Sequence, residues 1–431
     1  MGDVGEFTQT GRLEVFETGK AVADLGLHFL FNGTPQLELT AEWKGRGSQI
    51  TESAPFLQSE MNESFSDAAQ VLVTLMSRPN IASKEWLIRQ MDHEVQGMSV
   101  IKPLGANDAG VIKPKVGSDV GLAIGCGISP HLSDLDPFWM AQAAADEAIR
   151  NVLCVGAEYG NPEAVLTLVE NFCWPDPVGD AEKTAALVRA CFGLRSVALE
   201  LSIPLIAGHA NLKNDFAGKI EGKSIKVSIP PTLLMTAVGR VADIKLCRSA
   251  NFKAPGDFIY LLGASDFGLL GSEFKKVELG IDVPMRMGTP SWETARKVYS
   301  WLGGVTGKQQ TRLRSLHDIS DGGLLVAVAE CLMAKGFGVT LRLPVDRNPW
   351  EFMFGEGFHS FIASVSEEHS RSVEDEWDLM NIPFKRLGTV ESKDRFEVFL
   401  GGEGTEVGSK SILNLAIKEI RTAWAKEGYW E

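Results

Sequence analysis

The sequence has no pair of cysteines at CxxC spacing. Its six, Cys126, Cys154, Cys173, Cys191, Cys247 and Cys331, are scattered through 431 residues, which argues against a zinc ribbon or a disulfide frame and fits the reducing cytoplasm. No window approaches the roughly 18 uninterrupted apolar residues of a membrane span. The opening MGDVGEFTQTGRLEVF lacks an apolar core of signal-peptide length. A chain neither secreted nor membrane-spanning is expected. Basic residues are also few, 42 against 56 acidic for a net charge of -14, and none collect into a stripe. Nucleic acid is therefore not an expected partner.

What is present is enough apolar residue, 44% of the chain, to fill more than one core. Single cores stop growing at roughly 250 to 300 residues, so two or three domains are expected. RLEVFETGKAVADLGLHFLFNG reads as two strands around Thr18-Gly19-Lys20, with Asn32-Gly33 as a second turn. This hairpin, residues 1–50, is expected to be the remnant of a preceding domain. A helical linker over 51–85 follows, polar and Gly-rich up to about 60. Beyond it SDAAQVLVTLMSRPN and SKEWLIRQM read as two short helices split at Pro79, the second capped by Ser83. Over 86–245 strand-like runs (DVGLAIG, IPLIAG, TLLMTAVGRV) alternate with helical ones (PFWMAQAAADEAIRNVLCVG, AEKTAALVRACFGLRSVALELS). Over 246–431 the alternation restarts, so the fold class is α/β or α+β in two units.

Four short stretches are candidates for chemistry. In ADEAIRN, Glu147 and Asn151 share a helix face with Arg150 beside them, either as a solvated ion-paired surface or as ligands. In LVENFCWPDP, Glu170 and Asn171 precede a turn that is either a polar loop or part of a site. In IPLIAGHANLKNDF a strand that looks buried opens at Gly208 into His209, Asn211, Lys213, Asn214 and Asp215; strand ends of this kind are where α/β folds bind ligands. The fourth, LHDISDGGLLVAVAE (316–330), sets two carboxylates and two glycines before an apolar helix. Either Asp321 caps a helix starting near Leu324 while Gly322 and Gly323 turn the chain, or the glycine amides approach a phosphate that Asp318 or Asp321 holds through Mg2+.

Together with SKEWLIRQMDHEVQG, ADEAIRNVLCVGA, ENFCWPDP and IPLIAGHANLKND, the last stretch resembles the phosphoribosylformylglycinamidine synthase family of purine biosynthesis, in the family's order over nearly all the chain. More distantly it is similar to the group containing aminoimidazole ribonucleotide (AIR) synthetase and selenophosphate synthetase. The resemblance implies an AIR synthetase-like unit, in which an N-terminal sheet domain pairs with a counterpart and a C-terminal α/β domain packs beside it. It implies ATP-dependent conversion of formylglycinamide ribonucleotide to formylglycinamidine ribonucleotide, with ATP/ADP and Mg2+ as cofactors. Implied metal ligands are Glu147, Asn151, Asp318 and Asp321. Gly208, His209, Asn211, Gly322, Gly323 and Asn171 would bind nucleotide. Catalytic residues stay unassigned, with His209 and His317 as candidates. No Cys nucleophile elbow with a His partner is recognised, so ammonia is expected from a separate glutaminase.

The chain departs from the family at IGCGISPHL, where Gly127 stands at the position of an Asp, at NFCWP, where Trp174 fills a small polar position, and at GHAN. Loss of one carboxylate should weaken Mg2+ binding, and an Asp at 127 should restore it. Asp318→Asn should leave stability nearly unchanged if the carboxylate serves only a metal. Three roles are compatible with the sequence: part of the synthase that is active only with the remaining half, a noncatalytic nucleotide-binding scaffold half, or a self-pairing AIR synthetase-type enzyme. The unpaired N-terminal sheet predicts a homodimer in isolation.

Overall fold

The computed structural model describes residues 4–45, 68–91, 93–102, 104–277, 285–304, 311–334, 336–344, 347–401 and 411–425. Much of the polar stretch assigned to a linker, from 46 to 67, lies outside them. β1 (Arg12–Glu17) and β2 (Lys20–Gly26) form the expected hairpin, nearly all of it exposed. The second strand ends sooner than its alternation suggests. LHFLFN has no β-branched residue and forms α1 (Leu27–Asn32), and Gly33 closes this helix by donating to the Phe29 carbonyl at 2.8 Å instead of making a hairpin turn.

α2 (Ala68–Met76) buries Val71, Leu72, Leu75 and Met76 in the core of the second domain. α3 (Glu85–Ile88) is only four residues long, with Lys84 in the cap position expected for Ser83; the Ser83 hydroxyl accepts from the Glu85 amide at 3.2 Å.

The first domain then runs β3 (Ser99–Ile101), β4 (Ala109–Ile112), β5 (Gly121–Ile128), α4 (Pro137–Val155), β6 (Leu166–Cys173), α5 (Ala181–Leu201), β7 (Leu205–Asn211), β8 (Asp215–Ile220), β9 (Lys223–Ser228) and β10 (Thr232–Val241). Six of these strands form one sheet in the order β3-β4-β5-β10-β6-β7, while β8 and β9 make a separate hairpin. α4 begins sharply because Asp136 accepts from the Phe138 amide at 3.0 Å and Pro137 fills the first helical position. It stops at Gly156, whose φ of 111° only glycine adopts readily.

Along β5 the small residues Gly121, Ala123, Gly125 and Gly127 are buried beneath α4, while Ile124, Cys126 and Ile128 point to the exposed face. The helix lies so close that a Cβ on Gly127 would strike the Ala144 carbonyl and sit 2.5 Å from the Ala148 nitrogen and 2.9 Å from Glu147 Cβ. Gly127 is thus a packing requirement. β7, which reads as buried, is the sheet's edge strand and is exposed at every residue. Trp174, in contrast, is fully buried, with its ring edge-on to Phe172 at 5.7 Å.

The second domain comprises β11 (Phe258–Gly263), α6 (Trp292–Leu302), β12 (Leu313–Asp318), α7 (Gly323–Glu330), β13 (Gly338–Leu343), α8 (Pro349–Phe354), β14 (Ser360–Val365), α9 (Glu367–Leu379), β15 (Phe384–Glu391), β16 (Arg395–Leu400), β17 (Ser411–Ala416) and α10 (Ile417–Trp424). Its strands form one sheet, β12-β14-β11-β15-β13-β16-β17. One face (Tyr260, Leu262, Phe361, Ala363) joins a core continuous with α4 and the first sheet, and the other (Ile259, Leu261, Ile362) packs beneath α2, α7 and α10. The fold is therefore the expected mixed α/β pair of units, locked together by a shared core.

The fit of α4 on β5 yields a test. Gly127→Asp is expected to lower stability by about 1–3 kcal/mol through overpacking, read as a lower denaturation midpoint, and not to strengthen ion binding. A variant as stable as wild type would mean that the helix yields at little cost.

Candidate functional site: an acidic pocket between the domains

Arg150, on α4, is only 3% exposed and reaches across the domain boundary. Its Nε donates to Asp146 Oδ2 at 2.9 Å, and its Nη1 donates to Asp318 Oδ2 at 3.0 Å and to the Ile319 carbonyl at 2.7 Å. Asp146 also accepts from the Tyr299 hydroxyl and from the His359 amide at 3.0 Å, and its other oxygen lies 2.5 Å from His359 Nδ1. Burial disfavours the Asp146 anion, yet His359 and Arg150 hold its pKa below the ordinary carboxylate value. One guanidinium thus fixes α4 against the end of β12.

Beside it lies a pocket lined by Glu147, Arg150, His131, Ser320, Asp321 and Glu356, among others. Glu147 Oε2 accepts from the Ile128 amide at 2.8 Å, and Asn151 Nδ2 donates to the Cys126 carbonyl at 2.7 Å. The i, i+4 pair read from the sequence is therefore pinned to β5, on the buried side of α4. Asn151 Oδ1 is buried without a hydrogen-bond partner. Burial, then the charges of Asp321 and Asp318, push Glu147 well above its usual pKa. Burial raises Asp321 to about 7, with Glu273 adding to the rise, and it raises Asp318 to about 7 against the pull of Arg150. Buried acids raised by neighbouring carboxylates, as Glu147 is by Asp321 and Asp318, suit a cation among them. The pocket's ≈40 Å³ is far below the roughly 300–1,000 Å³ of small-molecule sites and admits an ion with a few waters.

The DGG turn has a different geometry from a phosphate cradle. Gly322 (φ 83°) and Gly323 (φ 75°) both occupy the left-handed region. The Gly322 amide donates to Glu356 Oε1 at 2.8 Å and the Gly323 amide to the Ser320 carbonyl at 3.0 Å, so both donors are used within the chain. A Cβ on Gly323 would press on the Gly355 carbonyl at 2.5 Å. Asp321 is not the helix cap either. Gly322 takes that position with no side-chain cap, and Asp321 has no hydrogen-bond or ion-pair partner among the described residues. Glu356 does the work expected of a capping acid, because the same oxygen also accepts from the Glu273 amide at 2.8 Å. Glu273, with no side-chain exposure, is ion-paired to Arg78 and hydrogen-bonded by His131 at 2.7 Å and by the Asn80 amide at 2.6 Å.

His317 is buried and does not line the pocket. Its Nδ1 lies 2.7 Å from Asp108 Oδ1 and its Nε2 3.0 Å from Glu330 Oε2, and these carboxylates raise its pKa well above the usual imidazole value. Both ring nitrogens are thus engaged by carboxylates within the chain. Among the described residues Asp108, His317 and Asp318 bring possible ligand atoms within 4.8 Å of one another.

The remaining expected residues lie elsewhere. Gly208, His209 and Asn211 are on β7, which β6 and β10 separate from β5, about 14 Å away at 4.8 Å per strand. Gly208 packs on the Glu170 carboxylate, where a Cβ would not fit, and His209 pairs with Asn171 in the ladder. None of these four lines the pocket. Sequence reading missed Glu356, Glu273, His131 and Asp108. Each is a lone acid or imidazole outside any periodic pattern, brought in by tertiary packing.

Two family models match in order: AIR synthase related protein, N-terminal domain, over residues 106–241, and the C-terminal domain of the same family over 254–401. The chain belongs to this AIR synthase related family. Among curated proteins it is similar to phosphoribosylformylglycinamidine synthase subunit PurL of Ignicoccus hospitalis, 32% identical over 86% of this chain and 48% of that protein. It is also similar to the subunit of the same name from Thermosynechococcus vestitus, 31% identical over 98% of this chain and 54% of that protein. The chain thus spans about half the length of the curated relatives it matches. Among solved structures, Thermotoga maritima PurL complexed with FGAR superposes with a TM-score of 0.59 at 13% identity, covering 83% of this chain and 54% of that one. The ADP complex of that protein gives 0.59 at 14% identity, covering 86% and 54%. These likenesses show the same fold.

The two motif aspartates should separate by stability. Asp318→Asn is expected to cost about 1.5–3 kcal/mol, because it weakens a buried charge-assisted bond to Arg150, which corrects the expectation of a silent substitution. Asp321→Asn, which removes a half-buried charge with no partner, is expected to leave the melting midpoint unchanged or raised. Equal losses from both in metal-free calorimetry would contradict this arrangement.

Proposed function

We propose that this chain supplies half of a phosphoribosylformylglycinamidine synthase and is noncatalytic alone. The observation that carries this reading is the match of both domains, in order, to about half of PurL subunits. In the reaction proposed for the assembled enzyme, ATP phosphorylates the amide oxygen of formylglycinamide ribonucleotide. Ammonia from a separate glutaminase then displaces phosphate to give the amidine. A ≈40 Å³ pocket does not admit a nucleotide, which supports a scaffold role for the half as it stands.

The pocket does fit Mg2+. Glu147 and the unpartnered Asp321, which line it, offer the hard oxygen donors this ion takes, while Asp318 is committed to Arg150. When bound, the ion would neutralise phosphate charge. The chain's own residues hold its ligands in place through the β5 backbone and Arg150. For binding to the remaining half, the uncovered face of the first sheet is the proposed surface, with Ile124 and Ile128 each 40% exposed and Cys126 between them.

Two outcomes are expected. Purified chain with Mg-ATP, ammonia and substrate should form no product, and the missing half should restore turnover; steady turnover by the chain alone would overturn the reading. At micromolar concentration the chain should sediment as a homodimer through the open sheet face, and Ile124→Lys with Ile128→Lys should give monomers. A wild-type monomer would refute that use of the face.

A further inference from the structure

A second cleft, of ≈610 Å³, opens between the domains at the opposite end of β12 from Asp318. Leu313 and Asp318 are five residues apart along the strand, about 16 Å at 3.3 Å per residue, so this cleft is separate from the acidic pocket. Its wall is formed by Val100 and Ile101 of β3, the connection from Ile244 to Lys253, and the start of β12. Four cations line it, Lys245, Arg248, Lys253 and Arg314, and no carboxylate does, in a chain where acids outnumber bases 56 to 42.

Two of the four, Arg248 and Lys253, have no ion-pair partner among the described residues. Arg248 is 4% exposed, and its Nε and Nη2 donate only to the Cys154 and Leu153 carbonyls, at 3.4 and 3.2 Å, where α4 ends. Burial lowers its pKa from the usual guanidinium value. A buried cation bonded only to neutral oxygens is unusual, because desolvation is ordinarily offset by an anion. Lys253 likewise donates to neutral oxygens, Ser249 Oγ at 2.5 Å and the Asn251 carbonyl at 2.7 Å. Arg314 makes only a long ion pair, its Nε 3.9 Å from the Asp257 carboxylate. Lys245 is paired, with Asp119 at 2.6 Å.

We propose that this cleft is a binding site for a phosphate-bearing small molecule of two or more negative charges. Arg248, Arg314 and Lys253 would take the phosphate oxygens, which guanidinium forks and an ammonium suit. The volume lies within the roughly 300–1,000 Å³ of small-molecule sites, and Ile101, Ile244, Leu246 and Leu313 provide an apolar wall for the rest of the ligand. The site rests on residues of both domains, so an occupant would brace them from the side opposite Arg150.

Titration calorimetry of the full chain with inorganic pyrophosphate, in EDTA to silence the acidic pocket, tests this. Wild type is expected to bind with saturable heat. Lys253→Gln with Arg314→Gln is expected to raise Kd by about tenfold or more, since charge-assisted bonds are lost, with an unchanged melting midpoint. Asp321→Asn should bind as wild type does. Should the double variant unfold, Lys253→Gln alone, at an exposed position, must still weaken binding. No saturable heat in wild type, unchanged affinity in the variants, or equal affinity for citrate would each overturn the proposal.

Discussion

Arg150 is a full positive charge sealed where two domains meet, and it must be neutralised in place. Removing a partner from a buried pair costs about 3–5 kcal/mol, so the geometry around this guanidinium has little freedom. Asp146, one turn earlier on α4, and Asp318, at the end of β12, answer it from different domains. His359 and Tyr299 then complete Asp146 from the second domain. Everything in the pocket inherits this arrangement. Glu147 and Asn151 face β5 because Asp146 and Arg150 face β12, and a helix cannot turn one pair without turning the other.

The same helix explains why β5 carries glycine where a side chain would be chemically useful. Alternation puts residues 121, 123, 125 and 127 beneath α4, and the helix sits close enough for Glu147 and Asn151 to bond the strand's own backbone. That closeness leaves no room for a Cβ at 127. A carboxylate on this strand and a tight helix are thus alternatives. This chain has the tight helix, which holds Glu147 and Asn151 against the strand's backbone.

Much of this architecture was legible in the sequence because it is periodic. Both domains, the strands FIYLLG and TLLMTAVGRV, and the long helix capped by Asp136 and Gly156 announce themselves through alternation, helical spacing and end signals. That Glu147 and Asn151 share one face of α4 followed from a four-residue spacing. The errors have physical causes as well. IPLIAGHAN is as apolar as a central strand, but its place at the sheet edge is decided by which strands pair, and local sequence does not carry that. LHFLFN alternates weakly yet folds as a helical turn. Glu356 was invisible because its function depends on two amides, at 273 and 322, that only the fold brings to one oxygen.

The DISDGG stretch shows how structural and functional demands divide within six residues. Its glycines are accounted for by backbone: both adopt positive φ, and Gly323 must also pass close to Gly355. Asp318 is accounted for by Arg150, and His317 by its two carboxylates. Asp321 alone has no such account. It caps nothing, pairs with nothing among the described residues, and is lifted to a pKa of about 7 by burial, with Glu273 adding to the rise. A residue that only destabilises the resting fold would be replaced at no structural loss by Asn or Ser. Its charge faces the pocket it lines with Glu147 and Glu356, which is the place where the proposed ion would give that charge a use.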